Sequence, residues 1–225
     1  MPDTTTLVLE TSTSLGSLAL IPPNGSPVCH SFGSDRSHNT GIFPPLQQLF
    51  ADHPGLEITQ VLVGSGPGSY SGTRVGIAAA QGIAIAHHCP AIAVPSILAI
   101  PATDHGAPVL VIGDARRGSY WTAHIHHFRL LTEPSLTDLH GLTATVANAH
   151  ASGAAIVSFE NPDRFPLPSH LQSAIRLENP DALRLSRAWL ENDTATRARW
   201  TATPPQPLYL KPPHITASKR PPLVP

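Results

Sequence analysis

Gln60-Val61-Leu62-Val63-Gly64-Ser65-Gly66-Pro67-Gly68-Ser69-Tyr70-Ser71-Gly72-Thr73-Arg74 reads as a buried strand, a glycine-rich turn and the opening of a helix. The helix is expected from Thr73 to His87, and Ala91-Ile92-Ala93-Val94-Pro95 follows it as a strand. Upstream, Thr6-Leu7-Val8-Leu9-Glu10 is a short apolar run, and Gly16 to Ile21 is a second one, broken by the turn Pro22-Pro23-Asn24-Gly25. Val28 to Phe32 makes a third, so three strands with short links predict an antiparallel meander. Between meander and glycine turn, Ser37 can cap a helix in which Ile42, Leu46, Leu49 and Phe50 fall at helical spacing. Pro44 and Pro45 are tolerable there if that helix starts near Phe43.

An antiparallel meander followed by alternating helices and parallel strands is the ribonuclease-H-like pattern of the actin, Hsp70 and sugar-kinase superfamily. The second half is less legible. Val109 to Gly113 reads as a strand, with Ser119 to His127 as its hairpin partner across Ala115-Arg116-Arg117-Gly118. Ala154 to Phe159 is a further strand, Asp181 to Leu190 a helix, and the chain from Pro204 is proline-rich and extended. The expected class is α/β, a two-lobed actin-like (ASKHA) fold with a truncated second lobe. Residues 1–100 form the first lobe and 101–225 the smaller second lobe, joined near Ile100 and Pro101. No internal repeat is strong enough to score.

Composition narrows the function classes. The chain has 225 residues, 41% hydrophobic and only 13% charged, so it can bury a core. A formal net charge of -1, with Lys211 and Lys219 its only lysines, argues against tight nucleic-acid binding by this chain alone. No apolar run approaches the roughly 20 residues of a membrane helix. Met1-Pro2-Asp3-Thr4-Thr5-Thr6 lacks a secretory signal pattern, and Cys29 and Cys89 are too few for a disulfide framework. A soluble, cytoplasmic protein is expected.

The glycine turn resembles several phosphate-binding loops and matches none. A dinucleotide fingerprint from Gly64 needs glycine where Ser69 stands, a P-loop needs a terminal lysine, and a nucleophile elbow needs serine where Tyr70 stands. A tight turn that packs a helix closely on its strand explains the glycines; anion binding at the helix start stays open. Within the helix, Gly72, Gly76, Ala80 and Ala84 recur every four residues, as do Ala78, Gly82 and Ala86. Helical glycine costs roughly 1 kcal/mol against alanine, so these stripes call for close contacts. One can sit on the sheet; the other can face the Ile42 to Phe50 helix or a second chain.

Gly64-Ser65-Gly66-Pro67-Gly68-Ser69-Tyr70-Ser71-Gly72-Thr73-Arg74-Val75-Gly76, continued by Ala80-Gln81-Gly82, resembles the G-x-G-P-G-S-[FY]-T-G-x-R-x-G block of the bacterial TsaB (YeaZ) family. Leu9-Glu10-Thr11-Ser12-Thr13, Gly113-Asp114-Ala115-Arg116-Arg117-Gly118-Ser119-Tyr120 and Pro207-Leu208-Tyr209-Leu210-Lys211 resemble three further family motifs in the right order. Together they cover the chain from end to end. The resemblance implies a non-catalytic subunit in the making of threonylcarbamoyladenosine in tRNA. Its expected partners are a TsaD-like transferase, which carries the metal, and a TsaE-like ATPase. Alone it is expected to homodimerise, and to meet tRNA only through the complex. It implies no cofactor of the chain's own, with ATP and metal in the partner subunits.

The resemblance also assigns a partner interface to the first-lobe helices: His38, Ile42, Leu46, Gly72, Arg74, Val75, Gly76, Ala79, Ala80 and Ile83. Leucine at Gly76 or Ala80 is accordingly expected to abolish pairing and leave the monomer folded. Candidate nucleotide or phosphate contacts are Glu10, Thr11, Ser12, Asp114 and Arg116; Glu10 stands where most of the family keeps aspartate. No catalytic or metal residue is expected. Metal-bearing relatives use His-x-x-x-His, and here His38 is followed four residues later by Ile42. Asp114 with Arg116 and Arg117 reads either as an anion grip or as a hairpin turn whose aspartate accepts amides. Arg74, in a first helical turn where the macrodipole disfavours cations, calls for a partner carboxylate or carbonyl. His124 and His126 share one strand face without a third metal ligand nearby. Two other readings stay open, a stand-alone actin-like ATPase or small-molecule kinase and a glycoprotease-like peptidase.

Overall fold

The computed structural model describes residues 4–33 and 41–211. Thr6–Glu10 (β1), Leu15–Ile21 (β2) and Val28–Gly33 (β3) form the antiparallel meander, with Glu10 opposite Ser17. Phe43–Asp52 (α1), Gln60–Gly64 (β4), Tyr70–Ala86 (α2) and Ala91–Val94 (β5) follow. β4 runs parallel to β1 and β5 parallel to β4, giving the order β3-β2-β1-β4-β5. β1 is buried along its whole length because both faces of this sheet are covered. Leu7 and Leu9 join a cluster with α1 and α2, while Val8 points into the opposite core.

α1 starts at Phe43 with both prolines in its first turn, where an intrahelical N–H is not required. The expected Ser37 cap lies outside the described residues. α2 begins three residues before the expected Thr73, because Ser69 caps it: the Gly72 N–H donates to Ser69 Oγ at 3.2 Å.

The second sheet repeats the order of the first. Its elements are Pro108–Asp114 (β6), Tyr120–His126 (β7), Arg129–Leu130 (β8), Ser135–Thr137 (β9), Leu139–Ala151 (α3), Ala155–Ser158 (β10), Ser169–Gln172 (α4) and Ile175–Leu177 (β11). The path β8-β7-β6-β10-β11 has antiparallel pairing up to β6 and parallel pairing beyond it, with β9 also on β7. Truncation shows in α4, which has 4 residues where α2 has 17. This is the two-lobed actin-like arrangement. Ala182–Glu191 (α5), capped by Asp181, then returns to lie against β1, β2 and β4, and Thr194–Ala202 (α6) lies against β5. Ala182, Leu185 and Ala188 fill the core between the lobes with Leu62, Val109 and Val111. Both halves of the chain thus build the first lobe. Among the described residues no helix is long and apolar enough to cross a membrane.

The glycine stripe of α2 faces the sheet. A Cβ at Gly72 would stand 2.2 Å from the Thr11 carbonyl oxygen, and one at Gly76 2.2 Å from Thr11 Oγ1. The helix therefore lies against the end of β1, and the Thr11 hydroxyl donates to the Gly72 carbonyl at 2.8 Å. Gly82 is exposed on the opposite side, and no other described residue comes within 4 Å of where its Cβ would stand. The expectation that leucine at Gly76 or Ala80 spares the monomer is corrected by this packing, since both positions are buried within the chain. Gly76→Leu is instead expected to destabilise the monomer by about 3 kcal/mol, since overpacking there must displace the buried Thr11 side chain and its hydrogen bond to Gly72. Gly82→Ala, in the same helix, should stabilise it by roughly 0.5–1 kcal/mol. Denaturant unfolding of the two variants checks both signs.

Candidate functional site: the interlobe cleft and the outer face of α2

A cleft of about 750 Å³ opens between the lobes. Its first-lobe wall carries hydroxyls: Ser12, Thr13, Ser65, Ser69 and Thr73. Its second-lobe wall carries charge and two aromatic rings: Asp114, Arg116, Glu160, Arg164, Trp121 and Phe159. The Asp114 N–H donates to Glu160 Oε2 at 2.6 Å, and the Asp114 carboxylate accepts the Arg116 N–H at 2.7 Å and its guanidinium at 3.3 Å. Arg164 lies 3.6 Å from Glu160. The hairpin bends through Arg116 and Arg117 in the left-handed region, at φ of 66° and 57°, a costly conformation for non-glycine residues. The chemistry on offer is hydrogen bonding and balanced charge.

Of the five candidate phosphate contacts, Ser12, Asp114 and Arg116 line this cleft. Ser12 is 1% exposed, and its Oγ has no partner among the described residues. Thr11 is buried behind the wall with its hydroxyl committed to Gly72. Glu10 is fully buried: Oε1 accepts the Ser12 N–H at 2.7 Å, and Oε2 has no partner among the described residues. A Cβ at Gly64 would stand 2.0 Å from that oxygen, so glycine makes the room the carboxyl occupies. Several amides of the glycine turn are used internally, the Ser69 N–H donating to the Ser12 carbonyl at 2.6 Å and the Gly66 N–H to Ser96 Oγ at 3.0 Å.

Most residues expected at the partner interface are turned inward. Ile42, Leu46, Gly72, Gly76 and Ala80 are buried, and Val75, Ala79 and Ile83 are half-buried against the same cluster. His38 lies outside the described residues. Arg74 is exposed, but its partner is in its own chain. Its guanidinium lies 3.9 Å from the centre of the Tyr70 ring and 5.5 Å from that of Tyr209, and its Nε donates to the Tyr209 hydroxyl at 2.7 Å. What α2 leaves outward is a different stripe: Ser71, Arg74, Ala78, Gly82 and Ile85, with Ile85 75% exposed.

His126 Nε2 meets the Gly106 carbonyl at 3.0 Å, and no group of three His, Cys, Asp or Glu suited to a metal occurs among the described residues. The sequence reading missed Glu160, Arg164 and Tyr209. The proline-rich run around Tyr209 was a signal for an extended segment, but its docking site lies 135 positions away at Arg74.

Burial raises the pKa of Glu10, against partial relief from the hydrogen bond that the Ser12 N–H donates. The folded chain therefore favours the neutral acid. That contribution to stability is fully present below the ordinary carboxylate range and is lost as pH rises through the raised value. Glu10→Gln keeps the volume and removes the ionisation. Its melting temperature relative to the parent should climb as pH rises from 5 to 8; parallel curves would show that Glu10 does not titrate against the fold.

The family model described as TsaD, tRNA N6-adenosine threonylcarbamoyltransferase, matches residues 33–184, more than half of the chain. Curated relatives include the tRNA threonylcarbamoyladenosine biosynthesis proteins TsaB of Haemophilus influenzae, 35% identical over 103 residues, and of Escherichia coli, 32% identical over 126 residues. These matches cover 44% and 52% of this chain and 43% and 54% of the relatives, so the chain spans about half their length. The solved structure of YeaZ from Pseudomonas aeruginosa is similar in fold, with a TM-score of 0.67 at 22% identity, covering 92% of this chain and 100% of that one. The chain belongs to the family that the TsaD model describes, and within it to the TsaB/YeaZ group.

Proposed function

We propose that this chain is a non-catalytic subunit of the assembly that builds the threonylcarbamoyl group on N6 of adenosine beside the anticodon of tRNA. In this reading it docks on a TsaD-like transferase and favours that partner's active arrangement, since a bound partner shifts only the equilibrium whose states it contacts differently. ATP and metal belong to the partner subunits, a TsaE-like ATPase among them, and tRNA is met through the complex. The near-neutral charge supports that last point.

One observation carries the reading to particular residues. The outward stripe of α2 is built of small side chains around Gly82, where no other described residue comes within 4 Å, with Ile85 beside it. Helical glycine costs stability unless a close neighbour uses the space, and among the described residues no neighbour does. A helix from a second chain would use it, either the transferase or another copy of this chain in a homodimer.

Gly82→Leu tests this with a built-in folding control, because leucine in an exposed helix is expected to raise stability by about 0.5–1 kcal/mol. Binding of the purified transferase subunit should weaken at least tenfold, a loss of about 1.4 kcal/mol. Unchanged binding by this better-folded variant would remove α2 from the interface. ATP turnover by the purified chain alone, abolished by Glu10→Ala, would overturn the non-catalytic reading.

A further inference from the structure

Residues 204–211 cross from one lobe to the other. They leave α6, which lies on the first lobe, and run without regular secondary structure. Polar contacts hold them to the first lobe, beside the ring contact of Tyr209 with Tyr70 and the packing of Leu210 on the interlobe core. The Leu208 N–H donates to the Ser65 carbonyl at 2.9 Å, Gln81 Nε2 donates to the Pro205 carbonyl at 3.3 Å, and Tyr209 closes on Arg74. One hydrogen bond reaches the second lobe: Lys211 Nζ donates to the Arg116 carbonyl at 2.9 Å. That carbonyl also accepts the Ser119 N–H at 3.2 Å, so the lysine caps the strained hairpin turn at the cleft wall.

The segment is also a partition. Pro207, Leu208 and Tyr209 line the interlobe cleft on one side and a second cavity of about 750 Å³ on the other. Ser65 lines both. Pro204, Pro205 and Pro207 limit the conformations of the free segment, so few contacts suffice to hold it. Those contacts are nonetheless exposed or half-buried, with Tyr209 48% exposed, which is the profile of a segment that opens without global unfolding.

We propose that residues 204–211 form a latch between the lobes, and that Arg74 is its catch. Shut, the latch separates the two cavities. Open, it joins them and frees the Arg74 guanidinium from the Tyr209 hydroxyl. Arg74 belongs to the same outward stripe as Gly82, so a docking chain that offers a carboxylate there competes with the Tyr209 hydroxyl for the guanidinium. This opening by a partner rests on the reading of α2 as the docking face; the latch itself does not.

Hydrogen exchange on the full chain separates the two. Tyr209→Ala should speed exchange about tenfold or more in residues 205–211, and also in the hairpin 115–119 of the other lobe, with the melting transition unmoved. Tyr209→Phe keeps the ring and loses the hydroxyl, so it should fall between parent and Tyr209→Ala. Lys211→Ala should act in reverse, from the hairpin back to the Leu208 amide. Faster exchange only beside the substituted residue, or collapse of the melting transition, would overturn the latch. In complex with the transferase subunit, residues 205–211 should exchange faster than in the free chain. Unchanged or stronger protection, in a complex that Gly82→Leu abolishes, overturns the catch and leaves the docking face standing. A complex insensitive to Gly82→Leu overturns the docking face and, with it, opening by a partner; the exchange of the free chain still decides the latch.

Discussion

The end of β1 and the glycine turn occupy each other's side-chain space, and much of the first lobe is arranged around that contact. Gly64, Gly68, Gly72 and Gly76 recur every four residues, and a Cβ at each would strike Glu10, Ser12 or Thr11 at 2.0 to 2.2 Å. No residue larger than glycine fits any of these positions without moving backbone or a buried side chain. The contact fixes α2 against β1, sets the Ser69 cap, and shuts Glu10 away from solvent. It also turns the other small stripe of α2 outward, because one helix face can meet the sheet only once. The fold's tightest constraint and its exposed small-residue stripe are thus two sides of the same helix.

This division explains what the sequence could and could not deliver. Strands of the first lobe were legible because short apolar runs stand between polar or glycine-rich stretches, as at Thr6–Glu10 and Gln60–Gly64. The spacing of Gly72, Gly76 and Ala80 showed that these residues share a face. It did not show which way that face points, since Ala78, Gly82 and Ala86 make an equally regular stripe. The inward stripe was therefore assigned to a partner, whereas in this chain it is buried against the end of β1. Arg74 was read as calling for a carboxylate or carbonyl; among the described residues it has a phenol hydroxyl and two rings instead, and no local pattern pairs position 74 with position 209.

The second half of the chain was obscure for other reasons. α3 buries only Leu142, Val146 and Ala149 among alanine, threonine and histidine, and α6 buries nothing, so neither carries a strong apolar period. The duplication of strand order is topological: it survives in pairing and direction while α4 has shrunk to one turn. The join between lobes is apolar, with Ile97, Leu98 and Ile100 fully buried in the linker. Ion pairs of Arg184 and Arg187 with Asp104 tie α5 to that linker at half-exposed sites, where such pairs contribute little.

Apolar burial and surface polarity therefore divide the labour between the lobes. The shared core under the linker is too well filled to hinge freely, because close-packed interiors do not deform continuously. Any change in the cleft has to come from its polar margin, where the hairpin at Arg116, the hydroxyls around Ser12 and the segment through Tyr209 meet. That margin begins at the first turn of α2. A chain that grips the outer face of α2 touches the one helix that is bonded inward to β1 through Thr11 and outward to Tyr209 through Arg74. The inward bonds are buried and hold the helix still; the outward ones are exposed and can be exchanged. A rigid helix with exchangeable outer contacts suits a subunit that acts by being bound.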